Sequence, residues 1–194
     1  MRKLFSLVFV ALFAVTASAQ ITWNVKGGVG LATCYGSEVG LKNHFVGKIG
    51  AGIEKPFAKN WSVMPSLELA WKGTETEDYY SDGGKLDIFY LQVPVVAAYR
   101  INVSNSWNIT LKAGPYFAYG LSGDFKIGEE KIDAFSDEGD CNRFDAGLDV
   151  GIDFEYHRFV FGAEYELGLT KMTDGGKASG VKNAAGYITL GYKF

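Results

Sequence analysis

Two histidines among the 194 residues are the first side chains to test for catalytic or metal-binding chemistry. A histidine beside a serine and an acid can activate a nucleophile, and Ser37 and Glu38 lie close to His44 in the sequence. His157 belongs to a short turn, whereas His44 lies at the edge of a long polar segment. Because these segments are predicted at opposite ends of the fold, we expect two solvated histidines, no catalytic residue and no enzyme activity.

A run of acidic residues is the second candidate for chemistry, because several carboxylates in one loop can hold Ca²⁺. The run consists of Glu129, Glu130, Asp133, Asp137, Glu138 and Asp140. Its spacing is not that of an EF-hand, and most acidic loops are simply hydrated. The stretches "GGVGLA" and "GKIGAG" lack the following helix that a phosphate-binding loop requires. We predict no metal and no cofactor, with Ca²⁺ binding by residues 129–140 left as an open alternative.

Charged residues also occur inside apolar stretches, most clearly in "RFDAGLDVGIDFEYHRFVFGAEYELGL", residues 143–169. There the acids alternate with aromatic and aliphatic residues, and a period of two indicates β-strands. The count of 25 glycines also favours strands, since a glycine costs about 1 kcal/mol in a helix interior. The same period predicts eight strands, near residues 23–31, 45–57, 61–71, 89–99 and 107–119, twice within 143–169, and at 186–194.

The connections between these strands alternate in length. Short links are predicted near 58–60, 102–106 and 157–158, and long polar links near 33–44, 73–87, 122–142 and 172–183. This alternation predicts an all-β fold, an eight-stranded antiparallel up-and-down barrel. The long links lie at one rim, and the short turns and both termini lie at the other.

Residues 1–19 have the features of a secretory signal peptide. Arg2 and Lys3 precede an apolar run from residue 4 to residue 15, and small residues occupy positions 17–19. We therefore predict one β-barrel domain over residues 20–194, with no spanning helix after the signal peptide. Removal of Arg2 and Lys3 leaves 17 of the 19 basic residues against 22 acidic ones, which disfavours a nucleic-acid partner.

Aromatic residues at two levels indicate which barrel face is outside. In each strand, alternate residues form one mostly apolar face. On that face every strand has an aromatic residue at its short-turn end, and five strands also have one at the other end. Such rings form the two interfacial girdles of a transmembrane barrel, whose apolar face meets lipid. The predicted girdles contain Trp23, Phe57, Trp61, Tyr99, Trp107, Tyr156, Phe159 and Phe194 at the short-turn level, and Phe45, Trp71, Phe89, Tyr119 and Phe144 at the other.

The charged residues on the opposite face then point into the lumen. An eight-stranded barrel has an interior only about wide enough for side chains, so we predict a packed ionic network there and no open pore. The predicted lumen charge network contains Lys26, Lys48, Glu68, Lys72, Arg100, Lys112, Asp145, Asp149, Asp153, Glu164, Glu166 and Lys193.

Several segments resemble the porin-family outer-membrane β-barrels of the PorT-like type. They are "YLQVPVVAAYRI", "LKAGPYFAYGLSG", "FEYHRFVFGAEYELGLTKM" and the terminal "YITLGYKF". The resemblance covers the whole mature chain and implies a place in the cell outer membrane, with membrane lipid and the outer-membrane assembly machinery as partners. It also implies that the terminal Phe194 forms part of the signal that this machinery reads.

We expect from these features a non-enzymatic role at the surface or in the envelope, in integrity, adhesion or an interaction with an envelope component. The alternatives are a narrow passive porin-like channel, an outer-membrane enzyme at the long-link rim, and a soluble periplasmic barrel that binds an apolar ligand. The aromatic girdles disfavour the soluble barrel. We expect a monomer, and the sequence does not identify an extracellular partner.

Cys34 and Cys141 are the only cysteines, and both are placed at the long-link rim. An exported chain passes through an oxidising compartment, where a disulfide can form and persist. A bond between them would require the first and third long links to fold across the barrel mouth. We therefore expect an intramolecular disulfide, with two separate thiols as the alternative.

The role assigned to Phe194 generates a first prediction. Phe194→Ala should sharply reduce the membrane-inserted fraction while export continues, because the assembly signal is weakened. Phe159→Ala, which removes an internal aromatic residue at the same level, is the matched control and should insert nearly as wild type does. Fractionation followed by gel electrophoresis of unheated samples measures insertion. Equal insertion of Phe194→Ala and wild type would show that Phe194 is not the signal.

Overall fold

The computed structural model describes residues 21–36, 41–76, 84–127, 130–136, 141–173 and 180–194. All regular elements in these ranges are β-strands. They are β1 (Thr22–Tyr35), β2 (Leu41–Lys42), β3 (His44–Ala58), β4 (Trp61–Thr76), β5 (Gly84–Asn102), β6 (Trp107–Ile127), β7 (Glu130–Asp133), β8 (Phe144–Tyr156), β9 (Phe159–Gly168) and β10 (Lys182–Lys193). The predicted signal peptide lies outside the described residues, as do Ser37, Glu38, Glu129, Asp137, Glu138 and Asp140.

Eight of these strands close into an antiparallel ring, in the order β1, β3, β4, β5, β6, β8, β9 and β10. The pairing of β1 with β10 completes the ring, with twelve residue pairs from Asn24–Lys193 to Tyr35–Lys182. The two short strands are additions at one rim, where β2 pairs with β4 and β7 folds back on β6. The predicted eight-stranded up-and-down barrel is confirmed.

The two rims differ as the link lengths predict. Links of two to four residues join β3 to β4, β5 to β6 and β8 to β9 at what we call the short-turn rim. The start of β1 and the end of the chain meet there, since the Phe194 amide donates to the Trp23 carbonyl at 2.9 Å. His157 has a φ of 53° in the two-residue β8–β9 turn. The other links lie at the opposite rim, which we call the long-link rim.

Burial along the strands is the reverse of that in a soluble protein. The outer face exposes large apolar side chains, such as Phe45 and Ile188, each 68% exposed. The inner face buries charged ones, such as Lys48, which is 3% exposed. Strand alternation sends every second residue to the same face, so one register determines both surfaces. Within the described residues, no helix is long and apolar enough to cross a membrane.

Closure brings the β1 and β10 backbones close together at Gly30. A Cβ atom added to Gly30 would lie 1.9 Å from the Gly186 carbonyl oxygen, so no other residue fits without backbone movement. Gly27, on the same strand but on the outer face, has its nearest such neighbour at 3.8 Å, the Lys48 carbonyl oxygen.

These two glycines provide a test of the closing seam. Gly30→Ala should lower the free energy of unfolding by about 1–3 kcal/mol, because the new methyl group overpacks the seam. Gly27→Ala should leave it nearly unchanged. Urea unfolding of the refolded barrel, followed by the mobility of unheated samples on a gel, measures both variants. Equal stability of the two would contradict the described β1–β10 register.

Candidate functional site

The outer face carries the two aromatic levels that the strand ends predict. Twelve of the thirteen predicted girdle residues are 36% to 68% exposed, and Phe89 is partly exposed. The twelve are Trp23, Phe45, Phe57, Trp61, Trp71, Tyr99, Trp107, Tyr119, Phe144, Tyr156, Phe159 and Phe194. Neighbouring rings pair across strands. Ring centroids are 5.0 Å apart for Trp61–Tyr99 at the short-turn level and 4.9 Å for Trp71–Phe89 at the other.

The centre of the lumen is organised around Glu164 on β9. Three lysines from three other strands contact its carboxylate: Lys26 at 3.0 Å, Lys112 at 2.7 Å and Lys48 at closer range. Glu68 on β4 lies opposite and pairs with Lys26 at 2.9 Å. Each of the two glutamates is therefore shared between cations from different strands, so the network ties the barrel wall together across its interior.

A second part of the network lies nearer the long-link rim. Glu166 accepts from Lys48 at 2.9 Å, from the Gln92 amide at 2.7 Å, and pairs with Lys72 at 2.7 Å. The Lys72 ammonium also lies 4.3 Å from the centre of the Tyr116 ring, which adds a cation–π contact.

Asp145 forms the top of this network and is satisfied mainly by neutral donors. The Tyr116 hydroxyl donates to it at 3.1 Å, the Asn183 amide at 3.0 Å and the Thr170 hydroxyl at 2.8 Å. Lys72 is 3.9 Å away. Hydrogen bonds of this kind lower the cost of a buried carboxylate without a close cation.

A separate group of four charges lies near the short-turn rim. Arg100 and Lys193 both contact Glu54 and Glu155, at 2.7–3.2 Å. Arg100 and Lys193 are predicted members of the network, whereas Glu54 and Glu155 are not among those that the sequence predicts. Both acids occupy lumen-facing positions in the alternation of their strands, β3 and β8. A strict use of this alternation would have predicted both as members of the network.

Asp149 differs from the other predicted members of the network. It is 3% exposed, and its side chain forms no hydrogen bond or ion pair with the part of the chain that the structure describes. It lines a cavity of about 40 Å³ together with Asp153, which pairs with Lys112 at 2.8 Å. A cavity of this size holds only a few water molecules. The central part of the network thus contains six carboxylates and four lysines, and Asp149 is the carboxylate without a partner.

A hydrophobic cluster covers the lumen at the long-link rim. This mouth cluster combines inward side chains of several strands with residues of the connections: Cys34, Leu86, Ile88, Tyr90, Tyr116, Ala118, Ala134, Met172 and Val181, packed against Phe125, Phe135 and Cys141. A smaller cluster of Ala32, Val46, Ala185 and Tyr187 lies beside it. Along the barrel axis, the polar lumen is therefore followed by the apolar mouth cluster at the long-link rim.

Both cysteines belong to the mouth cluster, but the expected disulfide is not formed in the structure. The Cys34 sulfur lies 3.4 Å from the Met172 sulfur and 3.8 Å from the Asn183 side-chain oxygen. It is thus packed inside the mouth against β10 and the β9–β10 connection. Cys141 is bridged by backbone pairing to Thr173. The sequence placed the two residues at the correct rim; the bond itself stays a prediction.

The histidines lie at opposite rims. His44 contacts Glu75 and Asp87, while His157 packs edge-on against the Tyr156 ring at 4.5 Å. Of the acidic run, Asp133 accepts from the Phe135 amide at 2.8 Å within its own turn. Among the described residues, no three histidine, cysteine, aspartate or glutamate side chains are placed to hold a metal ion.

An apolar outer face with two aromatic girdles around an ionic lumen defines an outer-membrane β-barrel protein. Residues 14–174 match the family model described as the outer membrane protein beta-barrel domain, and the chain belongs to that family. The match begins within the predicted signal peptide. The protein is located in the outer membrane.

Solved structures share the fold at low identity. Ail, the attachment invasion locus protein of Yersinia pestis, is 17% identical, with a TM-score of 0.50 over 89% of this chain and 98% of its own. OprG from Pseudomonas aeruginosa is 16% identical, with a TM-score of 0.50 over 91% and 97%. The outer membrane enzyme PagL is 14% identical, with a TM-score of 0.44 over 88% and 98%. No curated protein matches the sequence.

The contrast between Glu164 and Asp149 generates a stability prediction. Glu164→Gln should lower the free energy of unfolding by about 3–5 kcal/mol, because it leaves buried lysines without their shared partner. Asp149→Asn should cost less than about 1 kcal/mol or stabilise the barrel, since it removes an unpaired buried carboxylate. Urea unfolding in the same detergent compares the two. Equal losses would show that Glu164 is not the centre of the network.

Proposed function

We propose that this protein is a non-conducting outer-membrane barrel that acts through the long-link rim at the cell surface, in adhesion, envelope integrity or an interaction with an envelope component. The filled lumen is the observation that carries the proposal. Polar and apolar side chains occupy successive levels of the interior, and the central cavity of about 40 Å³ holds only a few water molecules. With the interior used for stability, the exposed rim remains for function.

Two barriers in series oppose passage of solutes. An ion entering from the long-link rim first meets the mouth cluster, where Tyr90 and Tyr116 are almost completely buried. It then meets lysines and acids that are already paired with one another at 2.7–3.0 Å. These groups are therefore not free to replace the water molecules of the ion's hydration shell. A porin-like channel would require both levels to rearrange together.

An enzyme at the long-link rim is the weaker alternative. A hydrolase of the serine–histidine type needs one imidazole nitrogen free to accept the serine proton. In His44 both ring nitrogens face carboxylates, Nδ1 that of Glu75 at 3.0 Å and Nε2 that of Asp87 at 2.9 Å.

The name of Ail refers to attachment, which is one precedent for a role in adhesion by a barrel of this fold.

Single-channel recording on the refolded barrel tests the proposal directly. We expect no stable stepwise conductance from wild-type protein whose folding is verified by its mobility on an unheated gel. An open porin measured in the same bilayers is the positive control. Stable steps that scale with salt concentration would overturn the non-conducting assignment and favour the channel.

Epitope insertion tests the proposed orientation. A tag inserted at residues 77–83, in a long link, should bind antibody on intact cells. The same tag at residues 103–106, in a short turn, should bind only after the outer membrane is permeabilised. The reverse pattern would show that the long-link rim faces the periplasm.

A further inference from the structure

A pocket of about 430 Å³ lies in the barrel wall at the long-link level, between β3 and β6, and its lining includes outward side chains and the buried Val46, Lys72 and Ile88. Cross-strand pairing aligns its side chains in two rows. Trp71, Phe89 and Ser122 form the row nearer the membrane centre, and Asp87 and Asp124 pair in the row nearer the rim. The pocket is therefore aromatic on its membrane side and acidic on its rim side. Its volume falls in the range of about 300–1,000 Å³ that small-ligand sites occupy.

The β3–β4 pairing is irregular next to this pocket, in the stretch that contains His44. Lys42 pairs with Glu75 and Gly47 pairs with Trp71, so five steps along one side oppose four along the other. His44 lies between these two pairs, and its ring contacts Glu75 and Asp87 beside the pocket. Bulges of this kind re-aim side chains and are common beside functional sites.

A second bulge lies on the opposite side of the same pocket. Phe89 pairs with Ser122 and the next residue, Tyr90, pairs with Gly120, so Leu121 is the extra residue on β6. Ser122 consequently lies on the same outer face as Tyr119, the last girdle ring on that strand. Two irregularities therefore lie at one level of the wall, on both sides of one pocket.

The His44 ring is held by charge on both sides. Nδ1 lies 3.0 Å from Glu75 Oε1 and Nε2 lies 2.9 Å from Asp87 Oδ1. Gly73 makes room for the ring, since a Cβ atom there would lie 3.1 Å from the His44 ring carbon Cδ2. The pocket is thus bounded by a fixed side chain.

Every acid of the pocket already has a cationic partner. Asp87 contacts Lys85 at 3.5 Å in addition to His44, and Asp124 contacts Lys131 at 3.0 Å. Lys72, which also lines the pocket, is paired with Glu166 at 2.7 Å. A phosphate would therefore meet these carboxylates without a free cation, and an amine would compete with the cations present. A neutral ligand rich in hydroxyl groups meets neither obstacle, because the carboxylates keep unused lone pairs as acceptors.

We propose that this pocket binds a neutral sugar ring in the headgroup of an outer-leaflet glycolipid. The Trp71 and Phe89 rings take the apolar face of the sugar, while Asp87, Asp124 and Ser122 accept or donate at its hydroxyl groups. The aromatic row belongs to the interfacial girdle, so the acidic row lies at headgroup level. The assignment to the outer leaflet rests on the orientation proposed above, but binding is measured independently of conductance and of surface labelling.

Native mass spectrometry of the detergent-solubilised barrel, titrated with lipopolysaccharide, tests the proposal. Phe89→Leu should raise the dissociation constant at least tenfold, and Ser122→Ala several-fold. Tyr119→Leu removes a ring of the same girdle outside the pocket and should change the dissociation constant less than twofold. Folding of each variant is verified by its mobility on an unheated gel. Ser122→Ala, a small exposed change, keeps the test valid if Phe89→Leu folds poorly.

Three further probes separate the sources of binding. Dephosphorylated lipopolysaccharide should bind as well as the intact molecule, whereas phosphatidylglycerol should bind at least tenfold more weakly. Loss of binding on dephosphorylation would overturn the neutral-sugar assignment. If the acyl-free oligosaccharide bound as tightly as lipopolysaccharide, the assignment of the sugar to a lipid would be overturned. If Phe89→Leu and Tyr119→Leu weakened binding equally, the pocket would be no more important than general contact with the membrane interface.

Discussion

Backbone hydrogen bonding in lipid is the constraint on which the rest of this structure depends. Each unpaired amide or carbonyl group in the hydrocarbon layer would cost several kcal/mol, so a sheet can cross a membrane only if it has no free edge. The β1–β10 seam removes that edge by joining the first and last strands over twelve residue pairs. Close approach at Gly30 and Gly186 is the local requirement of that closure.

Closure with eight strands then determines what the interior must contain. The lumen is narrow enough to be filled by side chains, yet alternation assigns it the polar half of every strand. A buried ammonium or carboxylate needs a partner, and lysines from β1, β3, β4 and β6 reach acids on β9 and β4 across the interior. The same ion pairs that satisfy the charges connect strands that are not neighbours in the ring. The interior is therefore part of the barrel's stability, which supports a function located outside it.

The outer face shows where the regular barrel is interrupted. Most of it follows simple alternation, with aromatic rings at two levels and aliphatic residues between them. Near the long-link rim, two register irregularities lie on both sides of one pocket; Ser122 is exposed there, and the His44 ring lies between Glu75 and Asp87. These polar groups lie where the membrane interface meets the exposed rim.

Strand periodicity and link lengths by themselves determined the fold of this protein, its eight strands and the assignment of faces, because a period of two is a local property of the chain. The same rule located the lumen lysines and the girdle residues. Tertiary structure decided the rest, because it depends on which strands face each other across the barrel. Periodicity could not show that Glu164 serves three lysines while Asp149 serves none, nor that Glu54 and Glu155 pair with Arg100 and Lys193. It also placed His44 at the edge of a loop, whereas β3 begins at His44 and the ring lies between two acids, next to a register irregularity between β3 and β4. A bulge is visible only when both strands are aligned, and for that reason the pocket beside it belongs to the structure alone.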